Sequence, residues 1–265
     1  MTVRALRLPF SLDPLIAEAK QRARRRWLVM ALIVAMLAGG TAAALRSFGP
    51  AGSPLTDPQG VLESTVAAAL AQHSVKWTEA GGEDMRGAFR LTSGVTADSG
   101  VQRLTVRPGN SGTADIRLVN GVVYVKGSFG GLEWVLNLTD LQAVRYSGRW
   151  ISIPKGDPLY ANVSDGLTLA SVVHDATTPD FGTGLKTKVL RSTSHGTPFL
   201  VFQEGAPPGS YMRLSTHASG ERLPVAVSVA NGPASFVHGT FSKWNEPVHP
   251  TPPKHAVPIA TVRRS

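Results

Sequence analysis

The chain contains no cysteine. That absence excludes disulfides, thiolate-held metals and the acylated cysteine of a bacterial lipoprotein, so any folded domain must be held by its own apolar core. Catalytic signatures are lacking as well: there is no G-x-S-x-G elbow, no P-loop and no H-E-x-x-H. The seven histidines (His73, His174, His195, His217, His238, His249, His255) are dispersed and include no helical i, i+4 pair that would build a metal site. Glu83-Asp84 and Asp157 fall in turn-like stretches, where carboxylates commonly bind local backbone. No catalytic residue, metal ligand or cofactor is assigned, and an enzyme is not expected.

A basic stripe is also missing. The formal charge of +9 invites a nucleic-acid reading, but residues 1–26 supply +5 of it. Residues 46–265 hold 20 basic and 16 acidic side chains, scattered along the chain. Nucleic acid is therefore not an expected partner.

What the chain does have begins at Trp27. From there to Leu45 run nineteen residues without a charge, roughly 28 Å of helix against a bilayer core of about 30 Å. Seven basic side chains precede this run, among them Arg24-Arg25-Arg26, whereas Arg46 is the only basic residue between it and Lys76. The positive-inside rule places 1–26 in the cytoplasm, 27–45 across the cell membrane and the rest outside. Ala42-Ala43-Ala44 offers a signal-peptidase alternative, but the basic segment and the apolar run are both long for a cleaved signal.

Residues 46–57 have linker composition. Asp57-Pro58 resembles a helix cap with proline at the first position, and Leu62, Val66 and Leu70 mark an amphipathic helix over 58–72. From Ser74 the pattern turns to β, with runs at 74–80, 84–93, 100–107, 113–119, 122–126, 149–154, 186–193, 197–204, 210–216, 224–230 and 234–242. Asn120-Gly121 signals a tight hairpin. Helical stretches are expected near 131–141 and 167–174, and the proline-bearing tail 246–265 should be extended and mostly outside the sheet. The fold class is thus a membrane helix followed by an α+β domain over 58–245. About eleven antiparallel strands should curl, because so many cannot lie flat, with short helices covering the concave face.

Several strings resemble one family. Val119–Gly127 (VNGVVYVKG) looks like a central hairpin, Ser147–Tyr160 (SGRWISIPKGDPLY) like the strand after the first mouth helix, Asp165–Val173 (DGLTLASVV) like the next helix, and Phe241–Pro253 (FSKWNEPVHPTPP) like the exit from the last strand. Together they are similar to the LolA-like half-barrel of actinobacterial LppX/LprG-type lipoproteins, over about residues 58–255. The resemblance implies a bent sheet around an apolar cavity for lipids or lipidated molecules. It also implies a lipobox cysteine, which is absent here; a membrane helix would take its place.

Candidates for the cavity wall are Trp77, Phe89, Leu104, Val106, Ile116, Leu118, Val123 and Val125 on strands, and Leu136, Leu138, Leu169, Val172 and Val173 on helices. Ordinary core packing gives the same periodicity, which marks burial and not occupancy. The expected partners are the membrane and a lipid or lipidated ligand, with an envelope protein as the alternative if the interior is filled.

Overall fold

The computed structural model of the chain describes residues 57–83, 89–107, 111–178, 186–205, 210–230 and 235–265. The basic segment 1–26, the apolar run 27–45 and the linker as far as residue 56 lie outside them. Among the described residues, no helix is long and apolar enough to cross a membrane. The described residues all belong to one compact unit, Ser53–Ser265.

Helix α1 (Pro58–Leu70) starts where the cap signal predicts. The Asp57 carboxylate accepts from the amides of Gln59 and Gly60 at 3.1 and 3.0 Å, and Pro58 occupies a position whose N–H would have no helical partner. Strands β1 (Ser74–Glu83), β2 (Phe89–Thr96), β3 (Gly100–Val106), β4 (Gly112–Val119) and β5 (Val122–Gly127) follow. Asn120 and Gly121, at φ of 51° and 72°, turn β4 into β5 as expected.

Where one helix was expected near 131–141 there are two, α2 (Phe129–Leu136) and α3 (Asp140–Tyr146). Asn137 adopts a left-handed conformation and ends α2; Thr139 and Gln142 then form a reciprocal capping box that starts α3. Strand β6 (Ile151–Pro154) leads to the short helix α4 (Tyr160–Ser164), which the pattern did not predict, and to α5 (Leu169–Thr177). The second half is β7 (Thr187–Ser194), β8 (Thr197–Gly205), β9 (Tyr211–His217), β10 (Pro224–Ala230) and β11 (Ser235–Ser242).

With β12 (Val257–Pro258), the strands of the described residues join one curved sheet in the order β12-β6-β5-β4-β3-β2-β1-β11-β10-β9-β8-β7. The twelfth strand pairs parallel to β6, so the sheet is mixed rather than wholly antiparallel. Two meanders, β1–β6 and β7–β11, meet where β1 pairs with β11, Trp77 opposite Phe241. Because side chains alternate across a strand, the registers define two faces. Ser93, Gln102, Ile116, Val125 and Ile151 form one cross-strand row on the inner face, beneath the helices. Gly94, Val101, Arg117, Tyr124 and Ser152 form the corresponding row outside.

The tail departs from expectation at its end. Val248 packs against Gly94 on the outer face, and the Thr251 carbonyl accepts from Arg117 Nη1 at 3.0 Å, so the segment after β11 straps the outside of the first meander. It then rounds the β6 edge as β12 and finishes as α6 (Ile259–Arg263), with Ile259 and Val262 fully buried. The last residues are therefore part of the core and not a free tail. Apolar side chains at i and i+3 after Pro258 are the cause: a one-turn helix presents both to the same side.

Arg263 fastens this end. Its Nη1 and Nη2 donate to Asp157 Oδ2 and Oδ1 at 2.8 and 2.7 Å. Burial alone would push the Asp157 carboxyl up, but the Arg263 bonds and charge and the Leu159 amide outweigh it and hold the carboxyl below its ordinary value. A carboxyl lowered in the folded state stabilises the fold fully above its unfolded value, about 3.9, and loses that contribution as pH falls through the lowered value. Urea midpoints measured on acidification below about pH 4 should fall for the wild type and fall less for Asp157→Asn. Parallel curves for the two proteins would contradict the assignment.

Candidate functional site

The inner face carries two apolar clusters. The first contains Leu104, Ile116, Leu118, Val123, Val125, Leu136 and Leu138, with Phe89 and Val106 packed at its margin. Ile151, Ile153 and Leu167 complete its floor, and Ile259 and Val262 of α6 close it. The second contains Trp77, Leu169, Val172 and Val173 together with Phe202, Met212, Leu214, Val227 and Phe241. Every one of the thirteen cavity candidates thus lies in or against a cluster, but the structure divides them: nine in the first and four in the second. Eleven are at most 8 % exposed; Phe89 and Val106 are half-buried.

A polar seam runs between the clusters. Gln102, inward by the alternation of β3, donates from Nε2 to Ser93 Oγ at 3.3 Å, and both side chains are buried. The turn before α5 lies directly on this seam. A Cβ added to Gly100 would stand 2.3 Å from the Leu167 carbonyl oxygen, and one added to Gly166 would stand 3.2 Å from Gln102 Nε2. Gln102 was absent from the candidates because they were chosen for apolarity. The phase of β3, with Gly100, Gln102, Leu104 and Val106 on one side, was the signal that would have found it.

Trp77 is the largest side chain of the second cluster. Its indole lies flat over Gly239, where an added Cβ would come 1.8 Å from Cη2. Phe241 packs 4.4 Å from it, and Trp244 stacks on Phe241 at 5.6 Å, while Nε1 donates to Glu79 Oε2 at 3.0 Å. The stack buries aromatic surface while its polar end is satisfied by a carboxylate. Helices α1 and α5 cover this half with Val61 and Ala69 and with Leu169, Val172, Val173 and Ala176.

Outside the core, a groove of about 190 Å³ opens beside α2 and α3, lined by Thr113, Asp115, Lys126, Ser128 and Ser147 with Gly127 and Gly148. Its lining is polar, so it is not a place for an acyl chain. Nor does any set of described residues bring three histidines or carboxylates together as metal ligands. His174 packs at the end of α5 with Nδ1 3.4 Å from Thr178 Oγ1.

The single curved sheet with short helices over one face is the architecture expected from the sequence, with twelve strands where about eleven were expected. Solved structures similar to the chain include LprF from Mycobacterium bovis, at 17 % identity over 77 % of this chain and 99 % of that one, with a TM-score of 0.45. LppX from Mycobacterium tuberculosis is similar at 16 % identity, 73 % and 98 % coverage and a TM-score of 0.43. A LolA superfamily protein from Nitrosomonas europaea shares 8 % identity over 73 % and 94 % of the two chains, with a TM-score of 0.26. No family profile and no curated protein matches the chain by sequence. At these identities and TM-scores, none of the structures assigns a ligand or an activity to this chain.

Proposed function

We propose that the protein is a membrane-tethered, extracytoplasmic binding or transfer protein for lipids or lipidated molecules, and that it performs no covalent chemistry on them. The observation that carries this reading is the inner face: apolar across both meanders and closed by helices of only five to thirteen residues. Short helices have little stability of their own and hold their place by packing, so exchanging their contacts for an acyl chain is energetically feasible. Each buried methylene contributes about 0.8 kcal/mol, so ten offer about 8 kcal/mol before the costs of binding and of displacing a helix are subtracted. The tether in this reading is the uncharged run 27–45 with its basic flank. A linker of about twelve residues reaches at most about 40 Å, which suits local extraction or presentation better than passage across a wide envelope.

A second reading has its own support. Eleven of the thirteen inner candidates are already buried by the chain's own side chains, as expected of a filled scaffold that meets an envelope protein through its outer surface. One experiment separates the two. Residues 46–265, purified from cells, should carry lipid detectable by native mass spectrometry and organic extraction, and should take up a fluorescent fatty acid. A preparation without lipid or uptake would remove the carrier reading and leave the interaction module.

A further inference from the structure

We infer that the paired helices α2 and α3 form a surface that docks onto anionic lipid bilayers. This inference uses the tether but not the occupancy of the inner face. Within eleven residues these helices expose Trp134 by 57 %, Leu141 by 83 % and Val144 by 66 %, whereas their other sides bury Leu132, Leu136, Ala143 and Tyr146 in the first cluster. Leu141 and Val144, three apart, share one face of α3 with Arg145. Only Asn137, Leu138 and Thr139 separate the helices. Glu133 and Asp140, the neighbours of Trp134 and Leu141, lie close enough for their carboxyls to interact across the gap between the helices.

These helices cannot readily turn their apolar side inward. The start of α2 lies backbone to backbone on β4: Ser128 N donates to the Thr113 carbonyl at 2.9 Å, and Thr113 N donates to Ser128 Oγ at 3.0 Å. The outward face is therefore fixed by the fold.

Charge decides the occupant. Arg145 and Arg149 are exposed and stand 5.8 and 5.5 Å from the Tyr146 ring, and neither has a carboxylate partner among the described residues. Lys126 lies close by in the polar groove at the end of α3. Apolar side chains flanked by two exposed arginines, with a tryptophan among them, match the depth profile of a membrane interface, where indoles sit at headgroup level and cations meet lipid phosphates. Glu133 and Asp140 oppose an anionic surface, but burial first, and then Asp140, push the Glu133 carboxyl above its ordinary value. A tether reaching about 40 Å keeps this surface within range of the bilayer throughout.

The lack of cysteine makes the test direct, since Leu141→Cys and Arg191→Cys each give the full chain one labelling site. Each variant is labelled with an environment-sensitive fluorophore and reconstituted into vesicles of phosphatidylcholine with or without phosphatidylglycerol. Flotation with the vesicles reports the tether; the label reports docking. The label at 141 should turn blue-shifted and bright when phosphatidylglycerol is present, and the label at 191, on exposed β7, should not change. Replacing Arg145 and Arg149 together by glutamine should weaken docking roughly thirtyfold, at about 1 kcal/mol for each basic residue near an anionic surface. A label at 141 that stays as wet as that at 191 would overturn the inference. So would a shift that fades as protein is diluted in lipid, since a second copy would then be covering the patch.

Discussion

Gly131→Ala should cost the domain about 3 kcal/mol or more, although alanine is the better helix former. Inside an ordinary exposed helix the change would gain about 1 kcal/mol. Here a Cβ would stand 2.1 Å from the carbonyl oxygen of Thr113, a backbone atom held in the β3–β4–β5 ladder. Nothing there can swing away, and Gly112 repeats the contact from the other side, its own Cβ falling 2.3 Å from Gly131 N. Helix α2 must lift from the sheet, opening a gap beneath Leu132, which is fully buried. Overpacking of this kind typically costs 1–3 kcal/mol and more against rigid backbone, so the loss outweighs the propensity gain. The urea midpoint should fall with little change in slope, and Trp134 on the same helix should report a changed environment. A midpoint equal to or above the wild type would mean that α2 is not seated as described.

Deleting residues 257–265 should be comparably damaging. Ile259 and Val262 are 1 % and 0 % exposed, and each contributes about 1.5–3 kcal/mol by burial, about 3–6 kcal/mol for the pair. The deletion also removes the parallel partner of β6 and the Arg263 bonds to Asp157. The truncated protein should show a lower urea midpoint and bind a hydrophobic dye at the exposed first cluster. Ile259→Ala with Val262→Ala in the full chain separates side-chain burial from loss of the strand. An unchanged midpoint in both variants would show that the terminal turn adds nothing to the core.

The strand pattern was legible because a half-buried antiparallel strand writes its alternation into the chain. Leu104, Ile116, Leu118, Val123 and Val125 alternate inward as the periodicity implied, and Asn120-Gly121 turns where its tolerance of positive φ predicts. Less was legible wherever a residue acts through what it lacks or what it meets far away. Gly112 and Gly131 read as punctuation in the sequence, yet they allow two backbones to touch. Ile259 and Val262 sit in a segment whose prolines signal an extended exit, and only the distant β6 edge gives them a place. Leu136 and Leu141 look alike in sequence, but one is buried and the other is 83 % exposed; spacing on a short helix does not say which side meets the sheet. The division of the candidates into two clusters was invisible for the same reason, since it depends on which helices and distant strands meet over each part of the sheet.

The strap and plug at the C-terminus set an order of assembly. Strand β1 has β2 beside it early in synthesis, but its other neighbour, β11, comes more than 150 residues later, and the first cluster is closed by Ile259 and Val262, later still. A chain made from its amino end would therefore form its first meander with the inner face unsealed until residues 257–263 had followed. Such late closure makes folding slow and leaves the apolar face of the nascent sheet open to holdases and to misassociation.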